Sequence, residues 1–260
     1  MVHIGTSGYS YDDWVGPFYP LGLAKSRFLD HYAKHFGCVE VNYTYYRMPN
    51  AATLAAMSRK TGPEFRFVIK APGELTHERS GRPEAFGEFS DALQPLVAEG
   101  KLGCVLAQFP YSFKPEDETW EYLRHLREQM EGFEVVVEFR HSGWISPGTF
   151  DLLRSLDLGF CCVDEPRMGS LMPPVAEATS DVAYVRFHGR NAQKWFNHQQ
   201  AWERYNYLYT REELQEWLGK VRGLDARAGE TYVFFNNHYN AQAVQNASLF
   251  AELLAEEGAV

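Results

Sequence analysis

Eight short apolar runs in this chain each end in a polar or charged side chain. The endings are Thr6 and Ser7, Glu40 and Asn42, Lys70, Gln108, Glu138 and Arg140, Asp164, Arg186 and His188, and Asn236 to His238. A strand that is dry along its length and wet at one end opens onto something at that end. Parallel strands buried on both faces read as continuous apolar runs. Eight of them, alternating with helical stripes, predict an α/β chain: a single (β/α)8 TIM-type barrel over residues 1–260. In that architecture the active site lies at the C-terminal ends of the strands.

The expected strands are 3–7, 38–43, 65–71, 102–109, 133–139, 159–164, 182–188 and 231–237. Helical stripes such as Phe86, Phe89, Leu93 and Leu96, or Leu214, Trp217, Leu218 and Val221, recur between them at a spacing of three and four. The pattern fails once. Residues 165–180 contain Pro166, Pro173 and Pro174 and no stripe, so the sixth crossover is expected to be an irregular loop. The length of 260 residues suits one barrel. Gly5-Thr6-Ser7-Gly8 is too short for a dinucleotide fingerprint and leads into a loop.

Composition narrows the partners. The chain has 34 acidic and 25 basic residues, a net charge of −9. That argues against bulk electrostatic attachment to nucleic acid or an anionic membrane, but is compatible with a local basic cleft. No run approaches the ~20 apolar residues of a membrane span. No signal peptide is visible at Met1-Val2-His3-Ile4-Gly5. Cys38, Cys104, Cys161 and Cys162 all fall in strand-like runs, without metal-ligand spacing. Buried free thiols in a cytoplasmic protein are the expectation.

Side chains two apart on a strand share a face, so Glu40 with Asn42, Glu138 with Arg140, Arg186 with His188, and Asn236 with His238 form inward pairs. The expected chemistry is acid/base catalysis on a small anionic or polyhydroxylated substrate, a sugar or sugar-phosphate type. Glu40, Glu138, His188 and His238 are the expected catalytic groups, because carboxylates and imidazoles move protons near neutral pH. Arg47, Lys70, Arg140, Arg186 and Arg190 are expected to hold anions. Asn240 is expected to cap the last helix, beside a phosphate position.

Two further chemistries stay open. His188, His238, Glu138, Asp164, Glu40 and His77 are ligand types for a divalent metal, the one cofactor considered, though no local ligand spacing supports it. Lys70 ends an apolar strand and is also a candidate Schiff-base amine or a carboxylate's partner. The segment 191–209 carries Trp195, Phe196, Trp202, Tyr205, Tyr207 and Tyr209, as a plug over the rim or a lid whose rings stack on a ligand. Trp14, Trp144, Tyr43, Tyr45 and Tyr46 are expected around the same mouth.

Several motifs then come in order: Gly5-Thr6-Ser7-Gly8-Tyr9-Ser10, Val39-Glu40-Val41-Asn42, Thr44-Tyr45-Tyr46-Arg47-Met48-Pro49, Lys70-Ala71-Pro72 with Thr76-His77, Gln108-Phe109-Pro110, Glu138-Phe139-Arg140-His141, Arg186-Phe187-His188-Gly189-Arg190, and Phe235-Asn236-Asn237-His238. As a set they resemble the YecE-like family, also called domain of unknown function 72, over nearly the whole chain. The resemblance implies a TIM barrel and no assigned activity. It carries site status to Thr6, Ser7, Glu40, Asn42, Arg47, Lys70, His77, Gln108, Glu138, Arg140, Arg186, His188, Arg190, Asn236, Asn237 and His238. Tyr9 stands where the family usually has tryptophan and Tyr45 where it has phenylalanine. The architecture is similar to the xylose-isomerase-like barrels, which include metal-dependent sugar isomerases and a DNA-repair endonuclease; that is fold-level analogy. Two rivals to a sugar-type isomerase, lyase or hydrolase follow. One is nucleic-acid binding or metal-dependent phosphodiester cleavage; the other is a non-catalytic metabolite-binding module.

Overall fold

The computed structural model describes residues 1–79 and 82–258. Its strands are β1 Val2–Thr6, β2 Cys38–Val41, β3 Arg66–Lys70, β4 Leu102–Gln108, β5 Val135–Glu138, β6 Leu158–Asp164, β7 Val182–Phe187 and β8 Glu230–Phe235. They pair in parallel, in the order β1-β8-β7-β6-β5-β4-β3-β2. A parallel bridge between Ser7 and Glu40 joins β1 to β2 at the C-terminal rim. The Gly8 N–H donates to the Glu40 carbonyl there at 2.7 Å. The sheet thus closes on itself as the eight polar-ended runs predict.

The helices are α1 Phe28–Tyr32, α2 Ala51–Ser58, α3 Ala85–Ala98, α4 Asp117–Gln129, α5 Pro147–Ser155, α6 Ala201–Arg204, α7 Arg211–Asp225 and α8 Gln242–Gly258. Local sequence starts several of them. Asn50 caps α2, Ser146 precedes Pro147 at the first turn of α5, and Thr210 and Glu213 form a reciprocal capping box on α7. No helix joins β6 to β7, the irregular crossover read from the prolines. Asn240 does not cap α8. It sits at φ +50°, donates its N–H to Asp13 Oδ2 at 2.6 Å, and the helix begins two residues later. None of the described helices is long and apolar enough to cross a membrane.

Alternation sorts each strand into two cores. Outside the sheet, Phe187 stacks on Phe235 at 4.5 Å and both meet Phe250 of α8. Trp144 stacks on Phe139 at 4.2 Å and donates to the Phe113 carbonyl, so it belongs to this outer core and not to the mouth. Trp14 is likewise fully buried, tied to the His238 carbonyl. Inside the barrel, His3 stacks on Tyr232, and Tyr184 packs against Phe234. Gly103 leaves room for the Tyr232 ring: a Cβ there would stand 2.5 Å from its hydroxyl. The four cysteines are free and buried, as expected.

Candidate active site at the barrel mouth

Above the aromatic floor lies a layer of buried ions. Arg186 reaches up from β7 and spans the barrel. Its Nη2 donates to Glu40 Oε1 at 2.6 Å, and its Nη1 donates to Glu138 Oε2. Tyr184 donates to the other Glu40 oxygen at 2.6 Å. Arg140 Nε lies 2.7 Å from Glu138 Oε1, an ion pair whose N–H is not aimed along the contact. His188 Nε2 meets the same oxygen at 3.2 Å, and its Nδ1 faces Asn236 Nδ2 at 3.0 Å. Burial pushes the Glu138 carboxyl up, but Arg140, Arg186 and His188 outweigh it and hold it well below the carboxylate range. Burial and then Arg140 drive the His188 ring down to about 3, so it is neutral at physiological pH.

A two-lobed cleft opens over this layer. One lobe, of about 370 Å³, runs over Arg186, Arg140, Lys70, Asn42, Asn236 and His238, with Tyr9, Tyr11 and Tyr43 as walls. The other, of about 360 Å³, runs over Lys70, Arg140, His77 and Glu165, beneath Trp195 and Arg204. Tyr45, Tyr46, Lys70, Gln108, Arg140 and Tyr205 line both. Each lobe has the size of a small-molecule site. Asn42 Oδ1 and Tyr43 Oη are buried without a hydrogen-bond partner among the described residues, and such groups call for an explanation.

Three groups in the cleft are shifted far from their ordinary values, two of them to near neutrality. Burial, then Arg186, lowers the Lys70 amine to about 7 against the opposing pull of Glu138 and Glu40. Burial raises Glu165 to about 7, although Arg140 and the Met172 N–H act against it. Burial and the neighbouring Lys70 and Arg140 lower His77 to about 4. His238 is lowered by burial, and its ring stacks on Tyr11 at 4.6 Å.

The comparisons with known proteins agree with one another. The profile described as "Protein of unknown function DUF72" matches residues 3–260. The chain belongs to the DUF72 family. The UPF0759 protein YunF of Bacillus subtilis is 32% identical to it, over 98% of this chain and 95% of that one. A DUF72 family crystal structure from Thermotoga maritima superposes with a TM-score of 0.91 at 44% identity, covering 98% of this chain and 99% of that chain. Another from Enterococcus faecalis has a TM-score of 0.87 at 25% identity, covering 98% and 96%.

The DUF72 motif residues divide into two groups in space. Ser7, Glu40, Asn42, Lys70, His77, Gln108, Glu138, Arg140, Arg186, His188, Asn236 and His238 lie in the ion layer or the cleft, and Tyr205 roofs it. The rest lie elsewhere. Thr6 faces outward and binds Tyr32 of α1. Asn237 ties the Tyr207 carbonyl to Asn246 of α8. Arg47 is exposed and rests on the Tyr43 ring. Arg190 grips Asp164 through two hydrogen bonds of 2.8 Å, and Trp217 and Tyr209 also donate to that carboxylate. Asp164 and Arg190 therefore lock α7 to the barrel's outside. Tyr207 hydrogen-bonds to Glu213 beside them.

Sequence reasoning missed Glu165, Tyr11, Tyr184 and Arg204. Alternation held the signal for one: Cys161 faces Glu138 inside the barrel, so Glu165 shares its parity and Asp164 does not. In the 191–209 segment the aromatic side chains differ in burial. Trp195 is buried and Phe196 is 64% exposed.

The donor set does not fit a divalent metal. Among the described residues, no three His, Cys, Asp or Glu side chains are grouped to hold one. Glu138 already carries two guanidinium groups and an imidazole, Glu40 is taken by Arg186 and Tyr184, and Asp164 is locked under α7.

Proposed function

We propose that this DUF72 protein is an enzyme acting on a small anionic or polyhydroxylated substrate, of the sugar-phosphate type, at the barrel mouth. The vertical order of the charges carries this reading. Lys70, Arg140 and Arg186 line the cleft, while Glu40 and Glu138 lie beneath them and face the guanidinium groups. A substrate anion above the cleft floor meets cations first. Asn42 Oδ1 and Tyr43 Oη offer acceptors to substrate hydroxyls.

Glu40, Glu138 and His188 serve in this reading as counter-ions and supports that hold the arginines in place. Proton transfer falls instead to Lys70 and Glu165, two groups near neutrality on one lobe. Nucleic-acid binding would draw on the same cleft cations for phosphate and on the tyrosine walls for stacking, but runs against the net charge of −9.

Thermal melting with inorganic phosphate, against sodium chloride of equal ionic strength, tests the anion site. Phosphate is expected to stabilise the protein, by about 2.7 kcal/mol at a hundredfold excess over Kd, and Arg140→Gln to remove most of that gain. Equal effects of phosphate and chloride would reject the reading.

A further inference from the structure

Buried Lys101 and half-buried Lys70 stand in opposite circumstances. Lys101, at the opposite end of the barrel from the cleft, donates to the Ser58 carbonyl at 2.8 Å, to the Thr61 carbonyl at 3.1 Å and to the Thr61 hydroxyl at 3.4 Å, and pairs with Glu99. An ammonium has three donors, and those of Lys101 are all used. Lys70 ends β3 at the junction of the two lobes, and among the described residues its one hydrogen bond is to Gln108 Oε1 at 2.8 Å. The Tyr45 ring lies 4.5 Å from its nitrogen. Its charged surroundings are Arg186 and Arg140, countered by Glu138 and Glu40 in the layer below, with His77 alongside. A lysine kept only for its charge would be placed like Lys101. Lys70 is placed like an amine that must present a lone pair.

From this placement we infer that Lys70 is a nucleophile that forms a Schiff base with the carbonyl group of a small anionic substrate, a 2-oxo acid or a phosphorylated aldose or ketose. The inference rests on the anion site proposed above and names the reactive group of its substrate. Arg140 and Arg186 hold the anion, and the carbonyl carbon lies over the Lys70 nitrogen. The neutral amine adds to that carbon and a C–N bond forms. The carbonyl oxygen takes one proton from the amine nitrogen and one from a general acid, and leaves as water. Glu165, on the same lobe, is a carboxyl group able to supply that proton. The product is a protonated imine, which draws electrons from the adjacent carbon and acidifies its C–H bond. A pKa near 7 supports the role, since about half of the amine is neutral at physiological pH.

Reductive labelling of the purified full chain tests this without knowledge of the natural substrate. Glyoxylate, an anionic aldehyde, and formaldehyde, a neutral one, are each supplied with cyanoborohydride at pH 7, and modified lysines are mapped by mass spectrometry. Lys70 is expected to react about tenfold or more faster than exposed Lys25, Lys34 and Lys114. Its preference over them should be greater with glyoxylate than with formaldehyde. Arg140→Gln should slow the glyoxylate reaction at Lys70 more than the formaldehyde reaction, because it removes the anion's partner as well as one of the charges that keep the amine neutral. Labelling of Lys70 no faster than the exposed lysines with either aldehyde overturns the nucleophile, while stabilisation by phosphate stands or falls on its own. Fast labelling of Lys70 with no preference for glyoxylate overturns the anionic-carbonyl assignment.

Discussion

At the scale of single residues, the barrel mouth shows how one guanidinium group can face two carboxylates with opposite behaviour. Arg140 lies against both Glu138 and Glu165. Glu138 is held ionised by Arg140, Arg186 and His188, so replacing it leaves buried positive charge without its partner. Glu138→Gln is expected to cost about 3–5 kcal/mol in urea unfolding at pH 6. Glu165 is raised to about 7 and is mostly protonated at that pH. It accepts the Met172 N–H at 2.8 Å, a bond that a glutamine oxygen can keep. Glu165→Gln is expected to cost less than about 1 kcal/mol at pH 6. Equal costs for the two variants would contradict this division between ionised support and protonated acid.

At the scale of elements, the strands were legible because their two-sided burial leaves an apolar run that stops at the rim. The facing of each rim residue was less so. Thr6 and Ser7, Asp164 and Glu165, and Asn236 and Asn237 are neighbours of similar chemistry, and in each pair only the second, the second and the first, respectively, looks inward. Parity separates them only once one interior residue per strand is known. Nor does alternation survive a turn: Arg190 follows Arg186 and His188 in step, but Gly189 at φ +90° swings it outside. That glycine also fixes where the aromatic segment departs. A Cβ on it would stand 2.8 Å from Tyr207 Cβ, and its N–H donates to Tyr209 Oη. Gly189→Ala is therefore expected to cost about 1–3 kcal/mol. It should also weaken the phosphate-induced stabilisation, because the displaced segment carries Tyr205 and Trp195 over the cleft. An unchanged melting temperature would show that the turn accommodates a side chain.

At the scale of the whole molecule, sequence could show that charges gather at one end of the barrel but not their layering. That order depends on side-chain reach: the arginines rise past the shorter carboxylates, which stay in the dry interior with His188. The layering has a consequence for the entire fold. The His188 ring titrates near 3 when folded and near its ordinary value of 6.5 when unfolded. As pH falls below 6.5, unfolded chains take up a proton that the folded ring refuses, so this contribution to stability is complete above 6.5 and is lost as pH falls toward 3. His77, lowered to about 4, acts in the same direction, with a smaller share because its ring touches the solvent of the cleft. Glu138 adds its own loss below about 4.5, where the unfolded chain begins to protonate and the folded carboxyl does not. Each fully coupled group contributes a slope of about 1.4 kcal/mol per pH unit. Glu165 works in the opposite direction, since its folded carboxyl, raised to about 7, takes up a proton before the unfolded one does. In a Glu165→Gln variant, which lacks that compensation, the urea midpoint is expected to fall between pH 7.5 and pH 4.5, and adding His77→Gln to soften that fall with little change at pH 7.5. A Glu165→Gln midpoint independent of pH over this range would mean that the ring of His188 is not held neutral, and that the ion layer beneath the cleft is wetter than its burial indicates.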